Sequence, residues 1–270
     1  MGSSNTDSVE ATAEAFSQRK ANAQILASQY TASKRAMEIA TISLFCLFLI
    51  LTLKNLYAHF TLNTIPVLLI SCVLAMAVAD LFSGLVHWAA DTWGTLDAPF
   101  VGKTFIRSFR EHHVDPFQIT RHDVIETNGD NCLPTVPILG FLSFVNIRDS
   151  SYSDLFAVNF LFWLAFWVAL TNQIHKWSHM HKPPAFVTIL QDWHIILSKK
   201  DHQLHHHTPF DKYYCITNGW LNPFLASIGF WKRMEDTITW LTGLQPREDD
   251  AHWTVQSSGN AGEAPHEKAH

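Results

Sequence analysis

The stretch from Leu155 to His179, LFAVNFLFWLAFWVALTNQIHKWSH, sets a membrane helix and a pair of histidines end to end. Its first part, Leu155 to Thr171, is apolar all round and rich in Phe and Trp, as a lipid-facing helix is. Its last part spaces His175 and His179 so that a helix running through the junction shows both imidazoles on one face. Membrane anchoring and metal-ligand chemistry therefore meet at one interface.

Working outward, two more apolar runs, about Ile39 to Tyr57 and about Thr64 to Val86, approach the ~20 residues that cross a hydrocarbon core. The second holds no charge before Asp80. A fourth, about Leu133 to Val145, is short and contains Pro134 and Pro137, which predicts a bent or partly inserted helix. The 270 residues are 47% hydrophobic and 16% charged, greasier than an ordinary soluble domain. We expect an all-α polytopic membrane protein of about four transmembrane helices, paired as two hairpins through the Asn55 to Asn63 turn and the NIRDSSYSD turn, and topped by a cytosolic histidine-rich di-metal cap. Residues 34–245 form the membrane domain, between a mobile segment at 1–33 and a disordered tail at 246–270.

Cations fix the orientation, because Lys and Arg gather on the cytosolic side of a span. Lys34 and Arg35 precede the first span, Lys103, Arg107, Arg110 and Arg121 follow the second, and Lys176, Lys182, Lys199 and Lys200 follow the last. Only Lys54 and Arg148 fall opposite, so both termini are expected in the cytosol. No signal-peptide pattern precedes the first span, which reads as an uncleaved anchor. The four cysteines form no CxxC pair, and the cations form no nucleic-acid stripe, so neither a zinc ribbon nor a nucleic-acid partner is expected.

Of 16 histidines, 12 lie between His87 and His207, all at or just beyond the expected cytosolic ends of the spans. LVHWAADTW carries His87, FREHHVDP carries His112 and His113, NQIHKWSH carries His175 and His179, and DHQLHH carries His202, His205 and His206. Neighbours such as His112 and His113, or His205 and His206, point about 100° apart on a helix, so each pair serves two different ions more naturally than one. Eight or nine clustered imidazoles exceed one tetrahedral site and fit a dinuclear centre, although imidazole alone does not choose among iron, zinc and copper. His194, in QDWH, is the ninth candidate, while His122 reads equally well as structural. Asp91, Glu111, Asp192 and Asp201 are placed to accept the second ring N–H of such ligands. His59, His181, His207 and the tail histidines His252, His266 and His270 are read as non-ligands, and NGDN at Asn128 to Asn131 as a turn and helix cap.

The HxxxH and HxxHH boxes resemble those of membrane desaturases and hydroxylases with all-histidine di-iron sites. GLVHWAADTWG, FREHHVDP, RHDVIETNGDN, TNQIHKWSH, QDWHIIL and HQLHH, in that order, look very like the plasmanylethanolamine desaturases, the Kua/CarF-type family, over about Lys34 to Asp249. That resemblance implies an endoplasmic reticulum enzyme with two iron ions and no catalytic side chain beyond the metal centre. It implies O2-dependent 1,2-dehydrogenation of the sn-1 O-alkyl chain of 1-O-alkyl-2-acyl-glycerophosphoethanolamine, with electrons from cytochrome b5 and its reductase. The alternative is a related oxygenase acting on an acyl chain near the head group. A non-enzymatic metal or lipid carrier fits less well, because the histidines lie on one side of the membrane only.

Overall fold

In the computed structural model, residues 17–18, 20–147, 150–207 and 210–247 are described, and they are helical with no strand among them. Arg148, the first 16 residues and the tail beyond 247, with His252, His266 and His270, lie outside that set. The principal helices are α1 (Ala32–Ala58), α2 (Ile65–Trp93), α3 (Arg107–Val114), α4 (Val124–Cys132), α5 (Thr135–Phe144) and α6 (Tyr152–His179). Four shorter ones follow: α7 (Ala185–Asp192), α8 (Lys199–Gln203), α9 (Asn222–Ser227) and α10 (Phe230–Thr242). Helices α1 and α6, and α2 with the turn before it, are long and apolar enough to cross a membrane. Large side chains on them such as Ile50, at 65% exposure, and Leu69 and Ile70, at 57%, face outward, as lipid contact requires.

Local chemistry sets the ends of these helices. Thr31 caps α1 by accepting from the Lys34 amide, and Ser151 with Asp154 forms a capping box on α6. Pro66 sits in the first turn of α2, where its missing N–H costs nothing. Pro134 separates α4 from α5, and Pro137 is tolerated in the first turn of α5.

The short apolar run therefore does not act alone. Broken at Pro134, α4 and α5 together run alongside α1 in the same direction. Lys34 pairs with Asp130 near one end, Thr52 donates to the Leu139 carbonyl at 3.0 Å, and Asn55 donates to the Leu142 and Val145 carbonyls at 3.1 and 2.9 Å at the other. Gly129 permits this approach, since a Cβ there would meet Glu38 Cγ at 2.4 Å. Helices α2 and α6 are the second parallel pair: the rings of His87 and His175 lie 6.0 Å apart, tilted, near one end, and Leu68 and Asn159 line one cavity near the other. Two pairs, each packed on the other, deliver the histidine-bearing ends to one side of the bundle. Residues 20–28, expected in a mobile segment, form a helix whose Ala23 and Leu26 pack on Val114 of α3.

Candidate metal centre

Two adjoining groups of side chains meet at the histidine end of the bundle. The first joins the Nε2 atoms of His112 from α3, His175 and His179 from α6, and His202 and His206 from α8 and the turn after it. The second joins His87 and Asp91, one turn apart at the end of α2, with His113 and His205. The adjacent pairs His112/His113 and His205/His206 are split between the groups, as their angular separation on a helix requires.

In the first group, Nε2 of His202 lies 2.9 Å from that of His175 and 3.0 Å from that of His206. Nε2 of His112 is 3.1 Å from that of His206, and the His175 and His179 nitrogens are 3.3 Å apart. Some of these pairs can share a proton, but five lone-pair donors facing one point repel unless a cation lies among them. Imidazoles bound at about 2.0–2.1 Å stand about 2.9 Å apart at right angles and about 3.4 Å apart in a tetrahedron, so five donors at these spacings suit an ion with more than four ligand positions. Burial pushes the imidazoles of His112, His202, His205 and His206 well below their ordinary pKa, which keeps them neutral and able to bind metal.

The second group is mixed. Oδ2 of Asp91 lies 3.2 Å from Nε2 of His87, 3.1 Å from that of His113 and 3.7 Å from that of His205. Both Asp91 oxygens and Nε2 of His87 and His205 are buried without a hydrogen bond, an arrangement that a bound cation satisfies. Nδ1 of His87 lies 3.1 Å from the Tyr214 carbonyl, and Nδ1 of His205 lies 3.0 Å from the Lys212 carbonyl. A carbonyl can only accept, so Nδ1 carries the proton in each ring and Nε2 keeps its lone pair for a metal.

Those two carbonyls belong to a segment that returns into the bundle. Oδ1 of Asp80, a fully buried carboxylate midway along α2, accepts from the amides of Thr217, Asn218 and Gly219 at 3.1, 2.9 and 2.9 Å. Asn222 closes the loop through the Cys215 amide and carbonyl, and Ser83 Oγ accepts from the Ile216 amide. This strap approaches α2 so closely that a Cβ at Gly84 would lie 2.6 Å from Cys215 Sγ. In an apolar interior an irregular backbone persists only when its polar groups are paired.

The sequence-based candidates thus divide. Eight histidines and Asp91 come together, Asp91 among the donors themselves rather than behind them. His194 does not: its side chain is 67% exposed, its backbone is left-handed at φ 54°, and it reaches only Asp201, at 3.7 Å. Asp192 is exposed, and Asp201 is bonded to Ser198, which caps α8, so neither supports a ligand. Glu111 pairs with Arg107 at 2.7 Å, with His122 at 3.5 Å, and not with a ring of either group. The outer partners of His87 and His205 are backbone carbonyls, which no sequence motif marks. Asp80 was visible as a charge in an apolar run, a signal for function inside a membrane, but its partners lie more than 130 residues away in the chain.

Fold and site define a polytopic helical membrane protein with two adjoining, largely buried groups of donors able to hold metal ions, beside a smaller, less buried third group of Glu111, His122 and Glu126. A lipid desaturase domain matches residues 76–249, and the chain belongs to that lipid desaturase family. It is 48% identical over 237 residues to mouse "Plasmanylethanolamine desaturase 1", covering 86% of this chain and 88% of the relative. To the Myxococcus xanthus "Plasmanylethanolamine desaturase" it is 46% identical over 232 residues, covering 86% and 82%. To the Arabidopsis thaliana chloroplastic "Fatty acid desaturase 4" it is 31% identical over 185 residues, covering 67% and 55%. No solved structure matches.

Proposed function

We propose that this chain is an O2-dependent desaturase of ether phospholipids, forming the vinyl ether between the first two carbons of the sn-1 O-alkyl chain of 1-O-alkyl-2-acyl-glycerophosphoethanolamine. That reading is supported by the two relatives of highest quoted identity, both named as plasmanylethanolamine desaturases. The observation that carries the regiochemistry is a cavity of about 390 Å³ with His87 in its wall. Along α2 it extends from His87 to Ala79, about 12 Å deeper at 1.5 Å per residue, between Val168 on one side and the break at Leu133 and Pro134 on the other. Lys34, Thr104 and Asp130 line it at the histidine end of the bundle. A phospholipid with its head group at this polar end and its chain along Ala79 brings its first chain carbons, not its middle, to His87.

In this reading His112, His175, His179, His202 and His206 hold one iron ion, and His87, Asp91, His113 and His205 hold the other. Iron bound there supplies the O2 activation that no side chain can. The reaction takes one hydrogen from each of two adjacent carbons and, with two electrons and two protons from outside, reduces O2 to two waters. The protein's own part is to orient and to exclude water: carbonyls of Tyr214 and Lys212 fix two rings, and Phe109, 5.7 Å from the His87 ring, covers the cavity side. Cytochrome b5 and its reductase supply the electrons, the domain spans residues 34–245, and the histidine end faces the cytosol from the endoplasmic reticulum membrane. Lipid profiling of cells that lack and then regain the gene product tests the reading: vinyl-ether phospholipids should vanish and return while their alkyl precursors do the reverse. Unchanged vinyl ethers with altered diacyl unsaturation would reassign the substrate to an acyl chain.

A further inference from the structure

Charged groups at the polar end of the cavity are unevenly matched. Lys34 and Asp130 are the charged residues that line it. Lys34 contacts Asp130 and lies 3.5 Å from Glu38, so one ammonium faces two carboxylates. The nearby guanidinium groups are engaged elsewhere, Arg35 with Asp123 at 2.6 Å and Arg107 with Glu111 and Glu126 at 2.7 and 3.1 Å. Glu38 is 1% exposed and bonded by the Tyr30 hydroxyl, whereas Asp130 keeps 14% of its side chain exposed and reaches the cavity. A charge cluster in a largely apolar chamber costs desolvation that hydrophobic residues of similar size would avoid.

We infer that the Asp130 carboxylate receives the ammonium of the substrate's ethanolamine head group and so selects that head group, with Lys34 left to face the phosphate. The inference rests on the ether-lipid reading above and adds to it the residue that chooses the lipid. A primary ammonium brings three N–H donors to a carboxylate, and each methyl group added to the nitrogen removes one until the trimethylated form has none. Charge-assisted hydrogen bonds are the stronger kind, and a carboxylate left facing methyl groups is not compensated.

The test uses the full chain in lipid bilayers with reductant and O2. It is given 1-O-alkyl-2-acyl-glycerophosphoethanolamine and its N-methyl, N,N-dimethyl and N,N,N-trimethyl analogues, and vinyl-ether product is measured. Turnover at low substrate should fall along the series, to at least about tenfold lower for the trimethyl lipid, the loss expected of a charge-assisted hydrogen bond. Asp130→Asn should raise KM for the ethanolamine lipid and bring the ratio between the ends of the series to within about twofold, while Asp130→Glu should restore the preference. A merely structural role for Asp130 would lower activity on all four lipids together and leave the ratio alone. Equal turnover of the four lipids by the unaltered protein, or an unchanged ratio in Asp130→Asn, would overturn the inference while the desaturase reading stood. Absence of vinyl ether from every head group would overturn both. If Asp130→Asn does not accumulate, the methylation series on the unaltered protein decides alone.

Discussion

Replacing Asp80 by Leu tests whether the strap it holds is part of the metal centre. The substitution leaves the amides of Thr217, Asn218 and Gly219 without their acceptor in a buried, apolar setting. Each such donor costs about 1–3 kcal/mol, so three cost at least about 3 kcal/mol even at the low end. That shifts the seated strap toward an open form by more than about a hundredfold, at 1.36 kcal/mol per factor of ten. Because the Tyr214 and Lys212 carbonyls move with the strap, His87 and His205 lose the acceptors that fix their rings, a loss that typically lowers metal affinity about 10–100-fold. The assay is metal content per purified chain, followed during stepwise chelation. Asp80→Leu should lose one ion early and keep the ion held by His112, His175, His179, His202 and His206, with activity abolished. Asp80→Asn, whose amide oxygen can still accept, should keep most of both. Full retention of two ions and of activity in Asp80→Leu would show that the strap does not support the metal centre.

Single Ala substitutions at His87, His112, His113, His175, His179, His202, His205 or His206 should each lower lipid desaturation at least about a hundredfold with the protein still in the membrane. His59→Ala and His194→Ala should stay within about twofold, since His194 is exposed and His59 lies in the turn after α1. Substantial activity in more than two of the first set would sink the ligand assignment. Complete chelation should abolish activity and ferrous iron should restore it; recovery with zinc alone would argue against redox chemistry at the site. A glycosylation acceptor placed between residues 59 and 63 should be modified, and one near Ala98 should not, because only the first lies at the end of the bundle opposite the histidines.

Much of this arrangement is legible in the chain. Periodicity places His175 and His179 on one face, and the 100° rotation between neighbours separates His112 from His113 and His205 from His206, so two groups are legible in the sequence. What could not be read is long-range. Asp91 looked like a carboxylate behind a ligand because it stands one turn from His87, and the approach of His113 and His205 to its Oδ2 sets it among the candidate donors instead. His194 shared a box with bulky neighbours, but the left-handed turn at that residue swings it outward. The apolar run at Leu133 to Val145 looked short and only partly inserted because its missing length lies before the proline, in α4, where Asn128, Asp130 and Asn131, read as a turn and cap, hide a helix behind turn-forming residues.

On the proposed function, the metal centre oxidises an ether-linked chain beside the head group. The most direct test of that function is the purified protein in bilayers, given reductant, O2 and 1-O-alkyl-2-acyl-glycerophosphoethanolamine, with the product treated with mild acid. A fatty aldehyde should be released from a newly formed vinyl ether, in amounts that track O2 consumed. No aldehyde, together with a new double bond in a diacyl lipid under the same conditions, would contradict it.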